Sequence, residues 1–382
     1  MKLMHLADLH IGKRVNEFSM LEDQKYILIK ILNTIDDYKP DGILIAGDIY
    51  DKSIPSAEAV ELFDEFITGI AERSIPCFVI SGNHDSPERI AYGSRIMKGQ
   101  GIYMAKVFDG QLTQTILKDQ IGEVNIYMMP FIKPANVRSF YPDAEIESFQ
   151  DAVETVIHNT PINPAKRNVL VAHQFITGGG IQPERSESEL LSIGGLDNID
   201  VGIFDDFDYV ALGHLHGPQR IGRDTVRYAG SPLKYSFSEA RHNKSVTLVK
   251  LGKKGDVTIE TIPLIPHRDM REIRGPINEL LSPEIYEGTN TEDYIHVTLT
   301  DEEDIMDPMG KIRTVYPNVM RLEYDNLRYQ ELKSDISVED PAQRSHLELF
   351  REFYLLQNNI ELDDEKISIV TKILEELGGN PS

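Results

Sequence analysis

Short apolar runs alternate with amphipathic segments along the first 100 residues. The runs at 3–9, 42–48 and 75–85 predict buried strands, and each ends in polar residues. Apolar residues near helical spacing predict helices at 22–38, 56–73 and 87–97. Ser56 is a suitable N-cap for the second helix. This alternation of strands and helices predicts stacked α/β layers.

From about residue 101 the pattern predicts mainly strands. A β-meander is expected from the runs 102–108, 110–117 and 123–131, and a helix follows at 148–158. Two buried strands, 168–175 and 208–216, contain histidines at or near their ends. Further strands, expected to complete a second sheet, are 225–233, 245–252 and 257–264. The Gly- and Ser-rich segment 177–199 predicts a long loop beside the site.

The composition changes after Pro266, where short strands mix with a turn-rich helical stretch. We therefore expect an α/β domain at 1–268 and a small α+β capping domain at 269–333. A linker at 334–342 precedes two amphipathic helices at 343–378, which form a helix-loop-helix.

Length and composition exclude several classes of protein. A chain of 382 residues that is 41% hydrophobic can form two or three domains with real cores. No apolar run approaches the roughly 20 residues that a membrane span needs, and the N-terminus begins with a strand rather than a signal peptide. We expect a cytoplasmic protein without a membrane partner. Cys77, the single cysteine, is expected to be a small core residue.

The net charge of −23 weighs against nucleic-acid binding, which usually depends on a basic surface. Two considerations weaken that objection. Bound divalent cations change the local field, and a basic partner can supply most of the phosphate contacts.

Five polar motifs follow or lie within apolar runs and offer, besides Asp85, two carboxylates, one amide oxygen and five imidazoles. They are Asp8-Leu9-His10, Gly47-Asp48, Gly82-Asn83-His84-Asp85, His173 and Gly213-His214-Leu215-His216. Mixed nitrogen and oxygen ligands without thiolate suit manganese and similar ions. Two such ions about 3.5–4 Å apart can activate water and stabilise a phosphate ester under attack. The motifs therefore predict a two-metal phosphoesterase centre.

The spacing of the motifs suggests which side chains share an ion. In an extended segment residues i and i+2 point to the same side, so Asp8 and His10 can reach one ion. His214 and His216 have the same spacing, and each can serve one ion. Asp48 has two oxygens and can bridge both ions. Asn83 and His173 can complete the ligand set of the second ion, although a lone histidine on a strand is more often a core residue.

The motifs, together with the segments GHLHGPQ and YAGSPLKYSFSEA, resemble the calcineurin-like metallophosphoesterase superfamily. Within it the chain is similar to the recombination and repair nucleases that work with an SbcC-type ATPase. The resemblance implies a β-sandwich flanked by helices and two divalent ions, Mn²⁺ above all. One ion would be held by Asp8, His10, Asp48 and His216, and the other by Asp48, Asn83, His173 and His214.

The resemblance also implies that His84 is a catalytic histidine rather than a ligand. A cationic His84 could stabilise charge on the phosphate and protonate the leaving 3′ oxygen. A carboxylate from Asp51 or Asp85 would favour that cation. Asp51 stands where some relatives carry a histidine, and Asp85 has an alternative interpretation as the N-cap of the helix that follows it.

Four basic residues follow the metal motifs, namely Lys13, Arg14, Lys52 and Arg89. They either hold DNA phosphates or are ordinary solvated charges. The helices at 343–378 either bind an SbcC-type ATPase or pack on their own domain.

A homodimer is expected through the helices at 56–73 and 88–98. Their apolar residues include Val60, Phe63, Ile67, Ile90 and Ile96. The alternative is that both helices only cover the sheet.

The sequence thus predicts a two-metal DNA nuclease that works with an SbcC-type ATPase in the repair of DNA ends. From the resemblance we expect 3′→5′ exonuclease activity on duplexes, endonuclease activity on single strands and hairpins, and association with the nucleoid when DNA is bound. A phosphatase or small-phosphodiester hydrolase is the first alternative, but it would lack the cap and the C-terminal helices. A metal-bound scaffold that does not cleave is the second, and the complete ligand set with His84 counts against it.

Overall fold

The computed structural model describes residues 1–178, 183–189 and 198–326, with residues 347, 350, 351, 354, 362, 363 and 366–371 beyond them. The strands, in chain order, are β1 Lys2–Leu6, β2 Arg14–Val15, β3 Phe18–Ser19, β4 Gly42–Ala46, β5 Cys77–Ile80, β6 Ile102–Met104, β7 Thr113–Asp119, β8 Gly122–Met129, β9 Arg167–His173, β10 Ile176–Thr177, β11 Ile199–Asp200, β12 Tyr209–Gly213, β13 Gln219–Ile221, β14 Arg223–Tyr228, β15 Ser245–Leu251, β16 Val257–Pro263, β17 Met270–Gly275, β18 Tyr294–Leu299 and β19 Val319–Tyr324.

The α-helices are α1 Leu21–Tyr38, α2 Ala57–Glu72, α3 Pro87–Ile90, α4 Ser94–Met97, α5 Pro134–Arg138, α6 Phe149–His158, α7 Ile277–Leu280, α8 Pro283–Tyr286 and α9 Pro308–Arg313. Short 3₁₀ helices lie at Lys98–Gln100, Val201–Phe204 and Phe237–Glu239. The prediction of α2 is confirmed, and Ser56 caps it by accepting a hydrogen bond from the Ala59 N–H.

Two six-stranded sheets pack face to face. The first has the order β16-β15-β1-β4-β5-β6 and the second the order β13-β14-β12-β9-β8-β7. Four adjacent strands of each sheet are parallel, and antiparallel strands complete the sheets. Alternate residues of both sheets form the core between them, including Leu3, Leu44 and Val169. The predicted β-sandwich flanked by helices is confirmed.

Separate apolar clusters lie on the outer faces of the sandwich. One joins the first sheet to α1 and α2, through residues such as Ile31, Ile45 and Phe66. Another joins the second sheet to α6, through residues such as Val153 and Leu170. Cys77 lies in the first cluster, as predicted, and burial raises the pKa of its thiol. Because both faces of the central strands are covered, their sequences are nearly continuous apolar runs.

Two predictions of sheet membership are wrong. The segments 245–252 and 257–264 belong to the first sheet, because β15 pairs antiparallel with β1 and β16 with β15. The run at 102–108 is not part of a meander, because β6 pairs parallel with β5. Only β7 and β8 form the expected hairpin. An alternating pattern determines which face of a strand is buried, but it does not determine the neighbouring strand.

The segment at 87–97 is not one helix, and the same correction applies to the helix expected at 88–98. It forms the two short helices α3 and α4, which are separated near Gly93. Gly93 adopts φ 71°, a left-handed conformation that ends a right-handed helix.

The strands β17, β18 and β19 form a separate three-stranded sheet. The chain divides into one compact unit of residues 1–298 and 306–323 and another of 299–305 and 324–382. Of the predicted helical pair at 343–378, residues 347, 350, 351, 354 and 366–371 are helical, and the rest lies outside the described residues. The predicted linker at 334–342 also lies outside them. In the described part of the chain no helix has the length and apolar character needed to cross a membrane.

Candidate metal centre

The polar motifs of both sheets meet at one edge of the sandwich. Asp8, Asp48 and Asn83 follow strands of the first sheet, whereas His173 ends β9 and His214 follows β12 in the second. Parallel strands collect ligands at their carboxyl ends, and here two such edges face each other. The structure therefore brings together side chains from distant parts of the sequence.

The backbone at these positions is left-handed rather than extended. Asp8 has φ 53°, His10 φ 44°, Asp48 φ 49° and His214 φ 113°. The extended geometry predicted for the Asp8–His10 segment is therefore wrong, because β1 ends at Leu6. Non-glycine residues rarely adopt positive φ, and such strain is concentrated at functional sites. Backbone hydrogen bonds hold the turn, including one from the His10 N–H to the Asp48 carbonyl at 2.9 Å.

A glycine is needed where the loops after β4 and β5 meet. A Cβ atom on Gly82 would lie 2.1 Å from Asp48 Oδ1 and 2.4 Å from the Asp48 backbone nitrogen. No side chain fits in that space. Gly82 therefore allows Asp48 to lie deep in the centre, with 2% of its surface exposed.

The first group of ligating atoms comes from Asp8, His10 and His216, and these atoms lie within 4.8 Å of one another. His10 Nε2 is 3.0 Å from His216 Nε2 and 3.5 Å from Asp48 Oδ2. Nitrogen ligands about 2.1 Å from one ion at right angles would be about 3 Å apart. Asp8 Oδ2 is buried and makes no hydrogen bond. Two ring nitrogens at this separation and a carboxylate oxygen without a hydrogen bond fit the ligands of a cation.

The second group is formed around His173. Its Nδ1 donates to the Ala46 carbonyl at 2.8 Å, which leaves the lone pair on Nε2 when the ring is neutral. That Nε2 lies 3.4 Å from Asp48 Oδ2 and 2.9 Å from Asn83 Oδ1. His214 Nδ1 is 3.0 Å from the same amide oxygen. Asp48 thus lies between the two groups, and all seven predicted ligands are brought together.

Burial and close charges shift the pKa values of these groups in opposite directions. Burial raises the pKa of Asp8 to about 7 and lowers that of His214 to about 3. Burial also lowers the pKa of His10 well below its usual value. Although burial opposes the charged forms of Asp48 and His173, their mutual attraction lowers the pKa of Asp48 and raises that of His173 to about 9. Divalent cations need deprotonated carboxylates and neutral imidazoles, so binding should displace these protons.

His84 borders the first group and remains partly exposed. Its ring meets the His10 ring edge to face, with 4.8 Å between centroids. Its backbone N–H donates to Asp48 Oδ1 at 2.9 Å, and its Nδ1 bonds to the main-chain carbonyl of Asp51 at 2.9 Å. His84 Nε2 therefore carries the lone pair when the ring is neutral.

Residues 1–218 match the calcineurin-like phosphoesterase family. The chain belongs to this family. The chain is accordingly a metal-dependent phosphoesterase that uses divalent ions. Residues 266–358 match a second family, described as the type 5 capsule protein repressor C-terminal domain.

The sequence of a curated relative supports the resemblance to the repair nucleases. The chain is 33% identical over 383 residues to the D component of the SbcCD nuclease of Staphylococcus epidermidis, and the match covers 99% of this chain and 100% of that protein. Among solved structures, TT1561 of Thermus thermophilus has a TM-score of 0.40 and 11% identity over 69% of this chain and 99% of its own. A dimetal phosphatase from Danio rerio has a TM-score of 0.41 and 9% identity over 69% of this chain and 96% of its own.

The carboxylates of Asp85 and Asp51 bond to groups other than the His84 ring. The Asp85 carboxylate accepts hydrogen bonds from the backbone N–H groups of Ile49, Tyr50 and Gly82, at 2.9–3.1 Å. Its interpretation as an N-cap is wrong, because Ser86 caps the next helix. The Asp51 carboxylate is 2.8 Å from Lys13 Nζ and 3.7 Å from His10 Nδ1. A carboxylate was expected to partner the His84 ring. The ring bonds instead to the main-chain carbonyl of Asp51.

The four basic residues do not form one patch. Lys13 is already paired with Asp51. Arg14 and Lys52 are exposed and line a groove to which Asp51 also contributes. Arg89 is exposed on a different groove, beside Tyr50 and Tyr92. Contact with DNA remains a prediction for each of them.

Sequence reasoning missed several residues that support the ligands. Gln24 donates to the His10 carbonyl at 2.7 Å and accepts from the Gly12 N–H at 2.9 Å. Glu239 and Lys244 lie beside His216, buried and 2.5 Å apart. The sequence contained one indication for Gln24 and one for Glu239. Gln24 interrupts the apolar face of a helix, and Glu239 belongs to the segment YAGSPLKYSFSEA without an assigned role.

Proposed function

We propose that this phosphoesterase is a two-metal DNA nuclease that works with an SbcC-type ATPase in the processing of DNA ends. The convergence of all seven predicted ligands at one edge of the sandwich carries the proposal. Full-length similarity to the staphylococcal nuclease component supports DNA as the substrate class. The expected reactions are 3′→5′ exonuclease cleavage of duplexes and endonuclease cleavage of single strands and hairpins.

Two ions are assigned to the centre, and Mn²⁺ is the proposed metal. Asp8, His10, Asp48 and His216 hold the first, and Asp48, Asn83, His173 and His214 hold the second. His84 is assigned to the substrate rather than to an ion, because four side chains already serve each ion and its ring remains partly exposed. Imidazole with carboxylate and amide oxygen suits manganese better than magnesium, which prefers oxygen ligands.

Ions held by these seven residues would activate a water and neutralise charge on the scissile phosphate. His84 stabilises the charge that develops on that phosphate and donates a proton to the departing 3′ oxygen. Its Nδ1 contact with the Asp51 carbonyl keeps the ring in place and directs Nε2 outward. Asp85 keeps the loops after β4 and β5 together, and so supports Asp48, Asn83 and His84 indirectly.

The test is a cleavage assay of the purified chain with Mn²⁺, both alone and with its SbcC-type partner. The substrates are a linear duplex, a hairpin and p-nitrophenyl phosphate. We expect cleavage of DNA that requires metal, with slow hydrolysis of the small ester. Rapid hydrolysis of the small ester without cleavage of DNA would indicate a phosphatase instead.

We assign residues 1–268 to the nuclease domain, 269–333 to a cap, 334–342 to a linker and 343–378 to partner binding. The second family match, which begins at residue 266, supports the first boundary. Because a chain of net charge −23 repels DNA, the partner is expected to supply most phosphate contacts. A DNA substrate implies a cytoplasmic protein that joins the nucleoid when DNA is bound.

Deletion of residues 340–382 should leave manganese-dependent cleavage of a short oligonucleotide intact. It should abolish copurification with the SbcC-type ATPase and ATP-dependent processing of long duplexes. The reason is that amphipathic helices bind partners by laying an apolar face in a groove. Unchanged affinity of the truncated chain for the ATPase would place the attachment elsewhere.

A homodimer is proposed through the surface of residues 56–73 and 88–98, where Val60, Tyr92 and Ile96 are exposed. Tyr92 and Ile96 are more than 80% exposed, which is unusual for large apolar side chains. Of the residues first considered, Phe63, Ile67 and Ile90 are instead buried in the chain's own core.

Replacing Ile96 by glutamate should therefore convert a dimer into a monomer at micromolar concentration, as measured by sedimentation. Ile265→Glu is the matched control, because Ile265 is 70% exposed but lies outside this surface. A native chain that sediments as a monomer would contradict the proposal.

A further inference from the structure

A buried polar cluster lies behind His216, on the side away from His10. It contains Glu239, Lys244 and Ser231, which are at most 6% exposed, and the partly buried Ser188. Charged side chains are rarely buried unless they are paired. None of these residues belongs to either proposed ligand set.

Ser188 and Glu239 together fix the proton on the His216 ring. Ser188 Oγ lies 2.7 Å from His216 Nδ1 and 2.5 Å from Glu239 Oε1, and that carboxylate oxygen is itself 3.2 Å from Nδ1. A carboxylate can only accept, so the serine hydroxyl donates to Glu239 and accepts from the Nδ1–H. The Nε2 lone pair of His216 is then directed toward His10 Nε2.

Lys244 holds the carboxylate and the main chain of the ligand at once. Its Nζ donates to Glu239 Oε2 at 2.5 Å, to the His216 carbonyl at 2.8 Å and to Ser231 Oγ at 2.8 Å. These contacts use all three donors of the ammonium group. On the opposite side, Glu189 accepts from the His216 N–H at 2.7 Å.

His216 is thus fixed at its ring, its N–H and its carbonyl. His10 differs, because its Nδ1 makes no hydrogen bond. A histidine ligand usually donates a hydrogen bond from its second ring nitrogen to an acceptor, and that acceptor changes the metal affinity.

We infer that Glu239 is a positioning residue for the ion that His216 holds, and that it acts through the Ser188 hydroxyl with Lys244 as its counter-charge. The inference rests on the proposed two-metal centre. It also makes the segment 183–189, which carries Ser188 and Glu189, a contributor to the affinity of this ion.

The experiment is a Mn²⁺ titration of the metal-free full chain by calorimetry, with thermal melting in chelator as the measure of folding. Ser188→Ala removes the hydroxyl, and the double variant Glu239→Leu with Lys244→Met replaces the buried pair by apolar groups. Replacing both partners leaves no buried unpaired charge. We expect one Mn²⁺ to bind about 10–100-fold more weakly in each variant, with the other unchanged.

Two further variants separate positioning from a merely structural role. Ser188→Thr retains a hydroxyl and should restore the affinity. Ser236→Ala is the matched control, because Ser236 Oγ lies 3.2 Å from the same Glu239 oxygen without a contact to His216. Its Mn²⁺ affinities should be those of the native chain.

Native affinities in Ser188→Ala would overturn the inference, as would equal weakening of both ions. Should the double variant fail to fold, Ser188→Ala decides alone. A native chain that binds fewer than two Mn²⁺ would instead overturn the two-metal centre of the proposed function.

Discussion

Replacing His84 by alanine is expected to lower the rate of DNA cleavage by about 10²–10⁴-fold. The imidazole is the group proposed to assist departure of the 3′ oxygen. Its removal leaves the two ligand sets unchanged, so metal content and DNA affinity should be those of the native chain. Single-turnover kinetics with a short duplex and metal analysis of the same sample measure both quantities.

The matched control for this variant is His267→Ala. His267 packs beside Tyr26, with 5.3 Å between ring centroids, and is not part of the centre. Its replacement should leave the rate unchanged. Loss of one ion from His84→Ala would show that His84 is a ligand, which its position near His10 and Asp48 makes a real alternative.

Asp48→Ala is expected to lose both ions, whereas His216→Ala should lose only one. Asp48 Oδ2 lies 3.5 Å from His10 Nε2 and 3.4 Å from His173 Nε2, so it belongs to both groups. His216 contacts only the first group. Metal stoichiometry per chain distinguishes the two variants, and Asp48→Ala should have no measurable nuclease activity.

Asp37→Ala serves as the control for the loss of a carboxylate, because Asp37 is exposed on α1 and far from the centre in the fold. It should retain two ions. If Asp48→Ala and His216→Ala lost the same number of ions, the bridging role of Asp48 would be wrong.

The sequence was most informative where one physical requirement dominates. The helical spacing at 22–38 and the cap at Ser56 predicted α1 and α2, because burial of one helix face depends on local periodicity. The ligand types were also apparent, because carboxylates and imidazoles are rare at the ends of apolar strands unless something compensates their burial.

What the sequence did not predict depends on distant contacts. β15 joins the first sheet because it pairs with β1, more than 240 residues away, and neither strand carries a mark of that pairing. Asp8 and His10 converge through left-handed backbone held by the loop after β4, a conformation that the extended geometry expected for this segment did not predict. Asp85 was misinterpreted as a cap because its three N–H donors come from two separate loops.

The division of the ligands between two sheets has a consequence for how the enzyme loses activity. The first sheet carries Asp8, His10, Asp48 and Asn83, and the second carries His173, His214 and His216. Neither proposed ion has a complete ligand set within one sheet. Under the proposed assignment, metal would be bound only while the two sheets are packed on each other. Under that assignment, a substitution in the apolar layer between the sheets, far from any ligand, would weaken metal binding, and bound metal would in turn stabilise the packing of the two sheets.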